Sequence, residues 1–151
     1  GENPPLMTPA HMPVSTGSHT HLLPARLLPG ADLRQALQTL AQTHAHGSAF
    51  VVAGMGSLLV ARLRFAGEDA VAELAGPLEI LSLSGTLSTA GAHLHMSVSD
   101  ATGRVWGGHV AEGNLVRTTA EVLLAPLPGW VLTREHDAAT GYSELVVRRA
   151  E

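Results

Sequence analysis

The strongest constraint on this 151-residue chain is the pentapeptide Asp100-Ala101-Thr102-Gly103-Arg104, set between two short alternating stretches. Asp leads it and Gly takes the fourth place, the pattern of a type I turn ending in a left-handed residue, which makes a three-residue hairpin loop with a bulge. A loop of this kind sets the pairing of both flanking strands. With Asp100 across from Arg104, counting back pairs Val98 with Trp106, Met96 with Gly108, Leu94 with Val110 and His95 with His109. Period-two alternation then sends every large apolar side chain except Val105 to one face, and His93, His95, Ser97, Ser99 and His109 to the other. A slip of one residue would destroy this agreement.

His93 lies one step diagonally from the His95 and His109 pair, so three imidazoles share one face of one hairpin. Neutral imidazole nitrogens bind divalent metals, zinc above all, and three of them leave a fourth tetrahedral position open. The alternative is a set of histidines that decorate a solvated face or meet backbone carbonyls at a subunit interface. Gly107-Gly108, inside the second strand, marks either a close approach by ligand or backbone or a bend that lets the sheet curl.

Composition narrows the function classes. Apolar residues make up 45% of the chain, enough for one domain with a real core, and no apolar run approaches the length of a membrane span. There is no cysteine, so any metal must rest on His and carboxylates, and a reducing, cytoplasmic setting is expected. The formal charge of -4, with 9 Lys and Arg spread thinly, offers no basic stripe for phosphate neutralisation, and aromatics at 3% are too few for a base-stacking platform.

Residues 1–20 carry Pro4, Pro5, Pro9 and Pro13 among Ser, Thr, Gly and His without apolar periodicity, and read as a flexible tail, with which His11, His19 and His21 go; residues 21–151 read as the domain. His21 to Leu28 alternates and ends at Pro29-Gly30. Asp32 and Gln35 then resemble a capping pair opening a helix whose apolar stripe is Leu33, Ala36, Leu37, Leu40 and Ala41, closed by Gly47. His44 and His46 suit that helix's C-terminal end better than a metal site. Ser48 to Met55 and Leu58 to Phe65 read as a hairpin about Gly54-Met55-Gly56. Ala70 to Leu74 and Leu78 to Leu87 read as two strands separated by Gly76-Pro77. Asn114 to Leu124 is a further strand, and Trp130 to Glu135 with Tyr142 to Val147 form an end hairpin; Trp106 and Trp130 suit buried packing positions. The expected class is α+β: a mostly antiparallel or mixed β-sheet of about seven to nine strands with one main helix packed on it.

In this order the segments resemble the plants and prokaryotes conserved domain, the PPC or PCC family, over about Leu22 to Val147. The motifs that carry the resemblance are Gly76-Pro77-Leu78-Glu79-Ile80-Leu81-Ser82-Leu83-Ser84-Gly85, His93-Leu94-His95, Gly103-Arg104-Val105-Trp106-Gly107-Gly108-His109 and Thr119-Ala120-Glu121-Val122. The resemblance implies a homotrimer with His93, His95 and His109 as a metal site. Bacterial members carry the label of DNA-binding proteins, and plant members join the domain to Arg-Gly-Arg-Pro segments that enter the minor groove, of which this chain has none. The leading expectation is therefore a trimeric metal-binding module, DNA-associated in regulation or assembly, that takes a protein partner or small ligand at the histidine face. A zinc-type hydrolase or lyase is the second reading, with Glu79 as its candidate catalytic acid or base. The bland role for Glu79 is a strand residue paired to Arg62 or Arg64, and Glu112 and Glu121 share the ambiguity. A direct DNA-binding regulator is the third.

Overall fold

The computed structural model describes residues 1–2 and 21–151, so the expected tail with His11 and His19 lies outside the described residues. One helix and eight strands follow in the order β1 (Leu23–Leu27), α1 (Leu33–Ala45), β2 (Ala49–Arg64), β3 (Val71–Ser88), β4 (Gly91–Ser99), β5 (Val105–Val110), β6 (Leu115–Pro126), β7 (Trp130–His136) and β8 (Ser143–Arg149). Six strands form an antiparallel sheet in the order β1-β6-β2-β3-β4-β5, and β7 and β8 form a separate hairpin. The class is α+β with mostly sheet, as the patterning implies.

Helix α1 begins where Asp32 accepts a hydrogen bond from the Gln35 backbone at 3.1 Å, satisfying one of the otherwise orphaned N–H groups of the first turn. The other Asp32 oxygen accepts from Gly113 at 2.7 Å, so one carboxylate caps the helix and ties it to the loop before β6. Leu33, Leu37, Ala41 and Ala45, four residues apart, bury the helix on the sheet. The helix ends at Ala45, two residues before the expected glycine: His46 adopts the left-handed conformation, and the Gly47 N–H returns to Ala41 O. Beneath α1 the core gathers Leu58, Leu63, Leu78, Leu94, Val98, Val110, Val116 and Leu124, all at most 1% exposed.

Two expected breaks are absent. Gly54-Met55-Gly56 is not a turn, because β2 runs unbroken through it, paired with β3 on one side and β6 on the other. These glycines make room instead: a Cβ on Gly54 would lie 2.7 Å from Leu83 Cδ2, and one on Gly56 would meet the Thr119 carbonyl. Likewise β3 passes through Gly76-Pro77 at a bulge, since the pairing steps from Leu58 with Leu78 to Val60 with Ala75. A bulge is where a strand can hold a proline that has no N–H to donate. Strands β2 and β3 are thus long and bent, and the bend brings the end of β2 round to pair with β5 through Leu63 with Val110 and Arg64 with His109. That closure lets β5 bond to both β4 and β2. Trp130 is 38% exposed, with the Arg149 guanidinium 4.8 Å above its ring, and is no core anchor. Trp106 is half-buried, stacked on Phe65 under Arg104.

Candidate metal centre

The site begins with the turn. Asp100 Oδ1 accepts from the backbone N–H groups of Thr102 and Arg104 at 2.9 and 3.0 Å and from the Thr102 hydroxyl at 2.7 Å, while the Asp100 N–H donates to Arg104 O at 2.9 Å. These bonds hold the Asp100 carboxyl below its ordinary range, the Thr102 hydroxyl contributing most. The register that follows is the one the turn dictates: Val98 opposite Trp106, Met96 opposite Gly108 and His95 opposite His109. On the core side Leu94, Met96 and Val98 are buried; on the other, His93 and His95 are exposed and His109 is half-buried.

His93, His95 and His109 each offer a ligand atom, and these atoms lie within 4.8 Å of one another. The rings meet edge to face or stacked, with centroids 5.1 Å apart for His93 and His95, 4.6 Å for His95 and His109, and 5.6 Å for His93 and His109. Zinc bonded to imidazole at about 2.0–2.1 Å in tetrahedral array sets its nitrogens about 3.4 Å apart, so the three rings need only small side-chain rotations to close on an ion. The donor set fits a divalent metal with one position left over. Burial lowers the pKa of His93, helped by Arg134, the two neighbouring imidazoles and Arg34, and burial with Arg64 and His95 lowers that of His109. Both effects favour the neutral ring, which is the form that binds metal.

Glu79 is exposed and pairs with Ser99, four residues along β4 from His95, a separation of about 13 Å at the usual strand rise. It is not part of the histidine group, and Arg62 bonds to Glu73 at 2.9 Å rather than to Glu79. Glu121 pairs with Arg26 and Met55 on the far side of the sheet, and His44 and His46 are exposed at the end of α1. Gly108 has the role of close backbone approach: a Cβ there would lie 2.7 Å from Arg64 O, where β5 meets β2.

Sequence patterning misses Arg134. Its Nη2 reaches from β7 to within 2.9 Å of His93 Nδ1 and donates to Thr86 Oγ1 at 2.9 Å. Thr133 Oγ1 and Arg134 Nε are buried without a hydrogen-bond partner among the described residues. No local signal links residues 41 positions apart; only the docking of the β7–β8 hairpin on β3 brings them together. Beside the triad a cleft of about 800 Å³ is lined by His93 and His109 with Arg34, Arg64 and Arg134.

Comparison with known proteins agrees with this architecture. The chain is 45% identical over 137 residues, 91% of its length, to the bifunctional protein GlmU of Synechococcus sp. (strain JA-3-3Ab), of which it spans only 22%. A hypothetical protein from Salmonella enterica superposes with a TM-score of 0.83 at 37% identity, covering 89% of this chain and 97% of that one. A protein from Archaeoglobus fulgidus described as metal-containing superposes with a TM-score of 0.71 at 27% identity, covering 89% and 99%. The profile of the Plants and Prokaryotes Conserved (PCC) domain matches residues 14–128, most of the chain, and the protein therefore belongs to the PCC domain family.

Proposed function

We propose that this chain is a metal-binding PCC domain that works as a homotrimeric regulatory or assembly module, holding a divalent ion, zinc by preference, on His93, His95 and His109. The observation that carries the reading is the convergence of three imidazoles within 4.8 Å on one face of a register-locked hairpin. The metal-containing relative of the same fold supports it. With no cysteine in the chain and no carboxylate in the group, the ion would rest on nitrogen ligands alone, a set that suits zinc, nickel, copper or iron better than magnesium or calcium. Direct DNA binding has little electrostatic support in a chain of charge -4.

The cleft beside the triad favours a second reading, a metal-dependent hydrolase or lyase, because its volume suits a small ligand. Elemental analysis of untagged protein, with His95→Ala alongside and the mass measured by light scattering, tests the first reading. About one metal per chain, lost in the variant, with a trimer mass in both, is the expected result. A metal-free wild type after exposure to zinc, nickel or iron would sink the metal reading, and a monomer mass would sink the trimer.

A further inference from the structure

The chain is acidic and has only 9 cationic Lys and Arg side chains, yet three of them, Arg34 from α1, Arg64 from the end of β2 and Arg134 from β7, line the cleft beside the histidines. Glu68, Asp69 and Glu144 line the same cleft, but among the described residues the ion pairs are Arg62 with Glu73 and Arg148 with Glu135, and none of the three cleft arginines is in one. Each is instead tethered to an uncharged acceptor: Arg34 to Val110 O at 2.9 Å, Arg64 to the Glu68 backbone carbonyl at 3.1 Å, Arg134 to Thr86 Oγ1 at 2.9 Å. A guanidinium has five donors in a planar fork, so one tether orients the group while leaving donors over for a ligand.

We propose that this cleft binds a small oxyanion, the carboxylate or phosphate group of a small-molecule ligand, with Arg134, Arg64 and Arg34 as its cationic wall. The volume of about 800 Å³ is in the range of small-molecule sites. The proposal deepens the metal reading and rests on it for one further step. An ion held by three neutral imidazoles keeps its full double charge, so the metal and the arginine wall call for an anion together. Metal uptake also changes what Arg134 can do. If His93 binds the ion through Nδ1, that nitrogen is no longer an acceptor; if it binds through Nε2, the ring proton must sit on Nδ1, which then faces the guanidinium as a second donor. Either way the Arg134 contact with His93 is lost and the guanidinium is released toward the anion. Metal and oxyanion thus bind cooperatively, and Arg134 is the link.

The test is equilibrium dialysis of the full chain, metal-free and metal-loaded, against succinate and against inorganic phosphate, the two arms telling carboxylate from phosphate. One of the two binds wild type, more tightly when metal is present. Arg134→Gln and Arg64→Gln each weaken it about tenfold or more, as loss of a charge-assisted hydrogen bond implies, while Arg148→Gln, committed to Glu135, leaves it unchanged. If Arg134→Gln fails to fold, as its melting curve would report, Arg64→Gln decides. Arg134→Gln also takes up metal at least as well as wild type, because a competing donor is gone; weaker uptake would overturn the link through Arg134. Failure of both probes to bind at about 10 mM, or equal binding by wild type and the cleft variants, would overturn the proposal. Anion binding by a protein that takes up no metal would uphold the oxyanion cleft and discard the metal reading instead.

Discussion

Gly108 and Gly107 are adjacent glycines on one strand, and they should respond to a single methyl group in opposite ways. A Cβ on Gly108 would lie 2.7 Å from Arg64 O, 3.2 Å from Arg64 C and 3.5 Å from Leu63 Cβ. The nearest atom is backbone and cannot swing aside, so β5 must move off β2 by about 0.7 Å to restore ordinary contact distance. The junction it strains is small, two paired positions and an Ala111 N–H bond to Arg62 O at 3.1 Å. Overpacking of this kind costs about 1–3 kcal/mol, and here it displaces the strand that carries His109. At Gly107 the added Cβ meets nothing closer than Met96 O at 3.4 Å, an ordinary contact. Gly107→Ala should therefore be neutral or stabilising by up to about 1 kcal/mol, because alanine loses less backbone entropy on folding. Urea unfolding followed by tryptophan fluorescence reads the stability, and metal titration reads the site. Gly108→Ala should be the less stable and the weaker metal binder. Equal stability of the two variants would refute the claim that closure of β5 on β2 is what requires Gly108.

Asn114 is fully buried, and its amide pairs with the backbone of Arg62 in both directions, at 2.9 Å each way, while also donating to Ala111 O at 2.8 Å. Asn114→Ala orphans the Arg62 N–H and the Ala111 carbonyl, leaves Arg62 O with the Ala111 N–H alone, and should cost about 2–4 kcal/mol, and Asn114→Asp should rescue little, because it sets an acceptor against two carbonyls; full stability of either in urea would overturn the assignment. The metal-free protein should lose stability as pH falls through the ordinary histidine value near 6.5, because His93 and His109 have lowered pKa values in the folded state. The unfolded chain then binds more protons than the native one, so acid favours unfolding, and above that value the contribution vanishes. Melting temperatures of wild type and a His93→Gln, His109→Gln double variant, taken between pH 5 and pH 8, should differ in slope only on the acid side; parallel curves would argue against the lowered pKa values of the two histidines.

What was legible in the sequence is what depends on neighbours a few residues away. The Asp100 to Arg104 turn contains its own hydrogen-bond partners, so it set the β4–β5 register, and alternation from that register put the three histidines on one face. The Asp32 cap, the apolar stripe of α1 and the β7–β8 hairpin are local in the same sense. Patterning takes Gly54, Gly56 and Gly76 for breaks between strands, because a missing side chain is compatible with a turn, a bulge or a close approach. What decides among these is the atom that arrives from elsewhere: Leu83, the Thr119 carbonyl, or the carbonyls of Leu58 and Leu59. The cleft is tertiary for the same reason. Arg34, Arg64 and Arg134 come from a helix, a strand end and a hairpin that no periodicity relates, and only closure of β5 on β2 and docking of β7 bring their guanidinium groups to the face that the turn had already supplied with histidines.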